Sequence, residues 1–365
     1  MTDKIPMPIR SLAALSGEAV AAVGLPIQAA GTTYTMAQEA AFIDDKHYAV
    51  GRWDGTLSLF AFTDSPTQGP LIAKAVNSPA QEGVQMIVPL EASALAFASS
   101  NDEQSLLVWA SATGDWSNLA IAATLSFDAA LGVANSGARV DASGAQYLVI
   151  GHANGYVSIW LQGSGIADWI CTMVTDVRAA KPANPWGIHN VRGVANVELG
   201  DGQGYVVTGS EDGNLTIVRV SDGAILSTTV YNPAAQRGIN SLAVAGSTLL
   251  VANCAVGAAD SNLWCYTIDP VGWSITLTDK ATLRIDPSAP QVFNFDVIFS
   301  VLDCGPTRFF CSTEEGALWM GQVSPAARLS VEGYKPIGAA LGSALCVSGV
   351  RLSATAYDLH EYLIE

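Results

Sequence analysis

The sequence predicts an all-β fold in which seven four-stranded antiparallel sheets form a ring, the architecture called a seven-bladed β-propeller. Three observations predict it: a hairpin pattern recurs along the chain, its copies lie about 50 residues apart, and half of the 365 residues are hydrophobic while only 14% are charged. Repeats of this length that each contain several short strands are typical of propellers. The low charge excludes a largely disordered chain and leaves enough apolar residues for a large core.

The repeated unit is a short apolar strand, a polar turn usually closed by glycine, and a second strand of alternating character. Clear copies occupy residues 47–60, 147–160, 205–218 and 308–321, and weaker copies end at Trp109 and Tyr266. In the first copy, Asp54 and Gly55 suit a tight turn, because glycine readily adopts positive φ. Leu57 and Leu59 then alternate with Ser58. This alternation is typical of a strand whose two faces differ, so each unit is predicted to be a β-hairpin.

The spacing of the units predicts how many blades there are. The second strands of the six copies end at Phe60, Trp109, Trp160, Val218, Tyr266 and Gly321. The intervals are 49, 51, 58, 48 and 55 residues, a mean of about 52, so 365 residues have room for seven units. A partial seventh unit begins at Ala344, and residues 1–30 precede the first clear strand pair. We therefore expect a single domain, residues 1–365, closed by pairing of an N-terminal strand with the C-terminal blade, which leaves no open sheet edge there.

The turn and second strand of each unit resemble the WD40 repeat, whose third strand typically reads Asp-Gly-Thr-Ile-x-Val-Trp-Asp. Residues 54–60 and 154–160 match this pattern closely. The copies are divergent because they lack the final Asp of the signature; Ala61, Ala110, Leu161 and Arg219 stand there instead. The resemblance implies four antiparallel strands in each blade, a central channel and a role as a scaffold.

Charge and hydropathy narrow the range of partners. The chain has 17 basic and 33 acidic residues, a net charge of −16, and its basic residues are scattered singly. Such a surface repels phosphate, so we expect no nucleic-acid partner. No apolar stretch approaches 18 residues and the N-terminus does not resemble a signal peptide, so we expect no membrane insertion and a cytoplasmic location. The six cysteines form no Cys-x-x-Cys pair.

Motifs for catalysis are missing from the sequence. There is no Gly-x-Ser-x-Gly nucleophile motif and no His-Glu-x-x-His zinc motif, and the four histidines are far apart in the sequence. Glu314 and Glu315 resemble a pair of catalytic acids, but a solvated hairpin turn is the favoured interpretation. We therefore expect no catalytic residues, no metal site and no cofactor.

Candidate binding residues lie at the turns inside the repeated hairpins. In a four-stranded blade these turns join the second strand to the third, and they all lie on one face of a propeller. The turns supply Arg52, Trp53, His152, Glu211 and Glu314. Trp53 is the strongest candidate, because exposed tryptophan and arginine are enriched at binding hot spots. An alternative stays open for each of two residues. Trp53 could fold over a neighbouring loop instead of binding, and His152 could be a structural histidine bonded to a neighbouring loop.

A second candidate region is the insertion at residues 177–191, which lengthens one repeat interval to 58 residues. It combines two prolines with Arg178, Lys181, Trp186 and His189. Functional residues favour such loops, so we expect either a contact with a partner or ligand, or only a longer connector.

Taken together, these features predict a non-catalytic protein-interaction scaffold, or an accessory subunit of a larger complex, that binds a partner protein through one propeller face. One alternative is a propeller that binds a small molecule or glycan, for which identical aromatic and polar residues would recur at one blade position. The other is a propeller enzyme, for which His, Asp, Glu or a metal would converge near the channel.

Overall fold

The computed structural model describes residues 9–15, 37–62, 71–77, 83–91, 96–102, 104–111, 113–116, 119–178, 189–231, 238–253, 261–289, 292–300, 307–337, 344–355 and 359–364. These residues form seven four-stranded antiparallel sheets, which confirms the predicted fold class. The helical structure within them is confined to 3-10 turns, at Ala129–Leu131 and at Trp116.

The strands follow one another blade by blade, except that the first strand, β1 (Ile9–Leu15), belongs to the last blade. Blade 1 consists of β2 (Ala37–Phe42), β3 (His47–Arg52), β4 (Thr56–Ala61) and β5 (Leu71–Asn77). Blade 2 consists of β6 (Ile87–Glu91), β7 (Ala96–Asp102), β8 (Ser105–Ser111) and β9 (Leu119–Ser126). Blade 3 consists of β10 (Ala134–Ala142), β11 (Ala145–His152), β12 (Tyr156–Gln162) and β13 (Trp169–Asp176).

The remaining blades repeat this arrangement. Blade 4 consists of β14 (Val191–Val197), β15 (Tyr205–Ser210), β16 (Asn214–Arg219) and β17 (Ile225–Val230). Blade 5 consists of β18 (Ile239–Ala245), β19 (Thr248–Asn253), β20 (Leu263–Ile268) and β21 (Ile275–Ala281). Blade 6 consists of β22 (Asn294–Ser300), β23 (Thr307–Thr313), β24 (Ala317–Val323) and β25 (Leu329–Pro336). Blade 7 consists of β26 (Ala344–Ser348), β27 (Arg351–Thr355), β28 (Leu359–Ile364) and β1.

The first strand of each blade lies innermost, and these strands contact one another around the ring. β2 contacts β6, β6 contacts β10, and the series continues through β14, β18, β22 and β26 back to β2. In blade 7 the order is β1-β28-β27-β26, so β1 is the outermost strand and pairs antiparallel with β28. The first and the last described strands therefore lie in one sheet.

The hydrophobic core lies between neighbouring blades. One cluster joins Val88 of blade 2 to Leu148 of blade 3, and another joins Phe310 of blade 6 to Leu352 of blade 7. Each sheet has two faces, and in the interior of the ring both are covered by an adjacent blade. This arrangement explains why the second strands of the blades are largely apolar. In blades 1 to 5 the third strand, which pairs with the second, carries serine or threonine among its apolar residues.

The antiparallel order places the loops on two opposite faces of the ring. We call the face that carries the turns between the second and third strands, together with the connections from one blade to the next, the turn face. The opposite face carries the turns between the first and second strands and those between the third and fourth strands.

Candidate functional site

The turns on the turn face are held by a repeated backbone hydrogen bond. In blade 3 the Ala153 N–H donates to the Val133 carbonyl at 2.9 Å, and in blade 4 the Glu211 N–H donates to the Asn190 carbonyl at 2.9 Å. In blade 6 the Glu314 N–H bonds in the same way, at 2.9 Å, to the residue preceding β22. The turns of blades 3, 4 and 6 are thus fixed to the connections that lead into their own blades.

The boundary between strand and turn decides which candidate residues reach solvent. Arg52 and His152 are the last residues of β3 and β11, and both are 0% exposed. Trp53, the next residue after Arg52, is 52% exposed. The expectation that Arg52 and His152 lie on an exposed ring is therefore corrected: the strand ends that carry them are buried on both faces, and exposure begins only in the turn, at Trp53.

His152 has the contacts of a structural histidine. Its Nε2 lies 2.7 Å from the Ser158 Oγ, its Nδ1 lies 3.1 Å from the Gly132 carbonyl oxygen, and the Phe127 ring packs edge-on against it. Burial lowers the pKa of His152 to about 4, although the bond to Gly132 favours the charged form. Of the two alternatives left open for this residue, the contacts support the structural one.

Trp53 stands beside the innermost strand of its own blade. A Cβ built on Gly83 would lie 2.8 Å from the Trp53 Cα and in contact with the amide oxygen of Gln38, a residue of β2. Gly83 has φ +84°, and the following residue, Val84, donates its N–H to the Arg52 carbonyl at 3.0 Å. The Trp53 backbone is thus fixed between blades 1 and 2, while half of its side chain remains exposed.

Glu211 belongs to a polar network that joins blades 2 and 4. The Arg192 Nε donates to the Glu211 Oε1 at 2.5 Å, and the Arg192 Nη1 donates to the Gln85 Oε1 at 3.2 Å. Asn190 adds a bond from its side-chain amide to the same Glu211 oxygen at 3.3 Å. Arg192 lies in β14, an innermost strand, so this network stands at the turn-face end of the channel.

Glu314 and Glu315 bind the connection between blades 5 and 6. The Glu314 Oε1 accepts the Phe293 N–H at 3.0 Å, and the Glu315 carboxylate accepts the N–H groups of Ile285 and Asp286 at 2.7 and 3.2 Å. These bonds differ from the solvated turn that the sequence favours. Both carboxylates satisfy backbone donors that would otherwise lack a partner in a loop.

The insertion at 177–191 is described only at its two ends. Arg178 packs over the Tyr156 ring at 4.3 Å and pairs with Asp176 at 3.1 Å. The His189 Nδ1 lies 2.9 Å from the Oδ2 of Asp212, a buried residue that also accepts a bond from the Ser210 hydroxyl. Lys181 and Trp186 lie outside the described residues.

Sequence reasoning missed the residues that line the channel end of the turn face. In five innermost strands an extra residue interrupts the pairing with the second strand, between Ala37 and Glu39 in blade 1, for example. The extra residues are Gln38, Asn135, Arg192, Asn240 and Phe295. A β-bulge reorients its side chain. Four of the five extra residues are polar, but polar residues also occur elsewhere in these strands, so the sequence does not mark the bulges.

Within the described residues, no group of three or more His, Cys, Asp and Glu side chains is placed to hold a metal ion. Among the same residues, no helix is long and apolar enough to cross a membrane.

Solved structures share this architecture. The Cps50 (Swd1) β-propeller domain of Myceliophteria thermophila aligns with a TM-score of 0.63 at 11% identity, over 94% of this chain and 99% of that one. The WD40 β-propeller domain of Doa1 aligns with a TM-score of 0.64 at 12% identity, over 98% of this chain and 97% of that one. This chain has the WD40 β-propeller fold.

The WD40 fold is recognised through structure rather than sequence. No protein-family model matches the sequence, and the comparison with curated proteins finds no significant match. Divergence of this degree agrees with the missing Trp-Asp signature, because the propeller needs turns and alternating strands more than it needs particular residues.

Proposed function

We propose that this propeller is a protein-interaction scaffold, or an accessory subunit of a larger complex, that binds its partner through the turn face, with Trp53 as the central contact. The observation that carries the proposal is the exposure of Trp53, 52% of a large aromatic side chain on a backbone fixed between two blades. A rigid, half-exposed tryptophan has the character of a binding hot spot, since it gains buried area with little loss of conformational freedom.

The acidic character of the chain favours a partner with a basic surface. The turn face carries the carboxylates of Glu211 and Glu314, and the whole chain has a net charge of −16. Charge complementarity speeds association and disfavours acidic partners. Arg52 and His152 are buried, so we assign them to the support of this face rather than to contact. Lys181 and Trp186 of the insertion stay proposed contacts, and a cytoplasmic location stays a prediction.

The proposal is tested with Trp53→Ala and a matched control on the opposite face. Val271 is 87% exposed and lies between β20 and β21, so Val271→Ala removes an exposed apolar side chain away from the turn face. We expect Trp53→Ala to weaken capture of the partner by roughly thirtyfold, because loss of a hot-spot tryptophan costs about 2 kcal/mol or more. Val271→Ala should leave capture unchanged.

Two further measurements separate binding from folding. A photo-crosslinking residue placed at position 53 should form an adduct with the protein that Trp53→Ala no longer captures, and the same residue at position 271 should not. The melting temperature of Trp53→Ala should stay close to that of the parent, since a half-exposed side chain contributes about 1 kcal/mol at most. A large drop in melting temperature, or adducts at position 271 alone, would contradict the turn face as the binding surface.

A further inference from the structure

A cavity of about 540 Å³ opens at the end of the channel that lies on the opposite face. It is bounded by the last residues of four innermost strands, those of blades 4 to 7, and by the turns that follow β14, β18 and β26. Its lining residues are Ala195, Asn196, Glu198, Val244, Ala245, Gly246, Phe299, Ser300, Val347 and Gly349. The volume falls within the range of small-molecule sites, about 300–1,000 Å³.

The walls of this cavity combine polar and apolar surface, with one ionisable group. Val244, Phe299 and Val347 supply aliphatic and aromatic surface, and each is only partly buried by the protein itself. Glu198 is the one acidic or basic side chain of the lining, and it is exposed. The Asn196 side-chain amide donates to its Oε1 at 3.4 Å, which holds the carboxylate next to the strand end. A cavity that offers both apolar side chains and a single carboxylate at its rim suits a cation attached to an apolar body.

Ser300 supplies a second, independent observation. This residue ends β22, lines the cavity and is 2% exposed, yet its hydroxyl has no hydrogen-bond partner among the described residues. An unpaired buried hydroxyl destabilises the protein that carries it. A ligand that hydrogen-bonds to this hydroxyl would remove that cost.

We propose that the cavity binds a small organic ammonium compound whose apolar body carries a hydroxyl or other hydrogen-bonding group. The ammonium pairs with Glu198, the apolar body packs against Val244, Phe299 and Val347, and the hydrogen-bonding group reaches Ser300. The site lies on the face opposite to Trp53, so it is independent of the proposed scaffold role. The net charge of −16 adds a long-range attraction for a cation.

Three probes of similar shape separate the contributions. Tyramine has an ammonium and a phenol hydroxyl; tyrosol replaces the ammonium by a neutral hydroxyl; phenethylamine lacks the phenol hydroxyl. Binding to the full chain is measured by saturation-transfer NMR and calorimetry at 150 mM salt, where nonspecific surface attraction is screened. We expect tyramine to bind at least tenfold more tightly than tyrosol and several-fold more tightly than phenethylamine.

Variants of the protein complete the test. Glu198→Gln should reduce tyramine binding at least tenfold and abolish its advantage over tyrosol, and Ser300→Ala should abolish its advantage over phenethylamine. The matched control is Asp45→Asn, because Asp45 is an exposed acid in a turn of the same face but outside the cavity; it should change binding by less than twofold. Ser300→Ala should melt no lower than the parent, since the lost hydroxyl is unpaired.

The outcomes decide each part of the assignment. If none of the probes binds at 10 mM, or if tyrosol equals tyramine, the ammonium site is wrong. If Asp45→Asn weakens tyramine as much as Glu198→Gln does, the attraction belongs to the surface and not to the cavity. If phenethylamine equals tyramine, Ser300 is not a ligand contact. Any of these negative results would leave the Trp53 test on the turn face unaffected.

Discussion

At the scale of single residues, a layer of buried polar side chains supports the turn face. The last residue of the second strand is polar and buried in six blades: Arg52, His152, Ser210, Asn253, Thr313 and Thr355. These side chains lie under the turns, where strand ends leave backbone groups without partners in the sheet. Polarity at these positions therefore reflects the closing of each hairpin rather than contact with a partner.

His152 should stay neutral in the folded protein at pH 5. Its pKa is lowered from 6.5 to about 4 by burial, so below pH 6.5 the unfolded chain binds a proton that the folded chain does not. The stability that depends on neutral His152 is fully present above pH 6.5. It falls as the pH decreases toward 4 and then levels off. At pH 5 this loss is about 2 kcal/mol.

An NMR titration of the His152 imidazole and urea unfolding at several pH values check this prediction. His152→Gln keeps a hydrogen-bonding side chain that cannot titrate, so the parent should lose stability relative to this variant between pH 6.5 and 4. An imidazole that titrates near pH 6.5 would contradict the burial argument.

Glu39 and Asp296 should destabilise the ring at high pH. Both lie in innermost strands, and burial, followed by the charge of Asp296, raises the pKa of Glu39 well above 4.5. Burial also raises the pKa of Asp296, although bonds from Ser241 and the Leu345 N–H oppose this shift. An acid whose folded pKa is raised favours its protonated form, so ionisation costs the folded state stability as pH rises above the unfolded value.

Glu39→Gln tests this sign. The variant should equal the parent near pH 4 and exceed it by about 1 kcal/mol or more at pH 8, because glutamine cannot ionise but can still accept the Ala40 N–H. The measurement is urea unfolding of both proteins across that range. A stability difference that does not change with pH would rule out ionisation of Glu39 as its cause.

At the scale of elements, small residues near the end of each second strand let the next blade approach. A Cβ on Gly51 or Gly151 would lie 2.6 Å from a Cγ1 atom of the next blade, on Val84 or Val191. A Cβ on Gly209 would lie 2.9 Å from the Ile239 Cδ1. The glycines of these strands are therefore required by packing between blades, in addition to the glycines of the turns.

Gly151→Val should destabilise the protein by about 3 kcal/mol, because the new side chain would overlap Val191 and the Ser136 hydroxyl. The matched control is Gly165→Ala in the connection between β12 and β13, where a Cβ would meet nothing within 4 Å. Thermal unfolding of both variants measures the difference. Equal melting temperatures would show that the blades can separate without cost.

A second regular feature protects the outer edge of the blades. In blades 1 to 6 the pairing of the third and fourth strands shifts by one residue, between Ile159 and Trp160 in blade 3, for example. The hydroxyl of the extra residue Thr172 donates to the Ile159 carbonyl at 3.1 Å, and Thr278 does the same to Cys265 at 2.8 Å. Such bulges twist an edge strand and disfavour pairing with another chain.

At the scale of the whole molecule, ring closure depends on the pairing of β1 with β28. Deletion of residues 1–15 removes β1 and leaves β28 as an unpaired edge in blade 7. We expect the whole ring to melt at a lower temperature in a single transition, because blade 7 also packs against blades 1 and 6 through its innermost strand.

Deletion of residues 1–8 is the matched control, because it shortens the chain but leaves β1 in place. Calorimetry compares both with the parent. If the two deletions melt alike, the N-terminal strand does not hold the ring closed.

The sequence by itself determined the hairpins, their spacing and the number of blades. These features depend on local rules: glycine at positive φ in Gly55 or Gly155, alternation along each strand, and a repeat of about 52 residues. It also singled out Trp53 as the most prominent side chain of the turn face. It did not separate the exposed Trp53 from the buried Arg52, because that difference depends on which residue ends β3 and which begins the turn.

Only the tertiary structure decided which distant side chains meet. Gln85 and Arg192 are hydrogen-bonded across two blades, Asp296 acts on Glu39, and the cavity at Ser300 is assembled from four blades. No local pattern encodes these contacts, because each arises from a β-bulge or a strand end that the closed ring brings to the channel. The burial of Arg52 and His152 has the same origin: a polar residue at a strand end becomes structural once the turn and the neighbouring connection cover it.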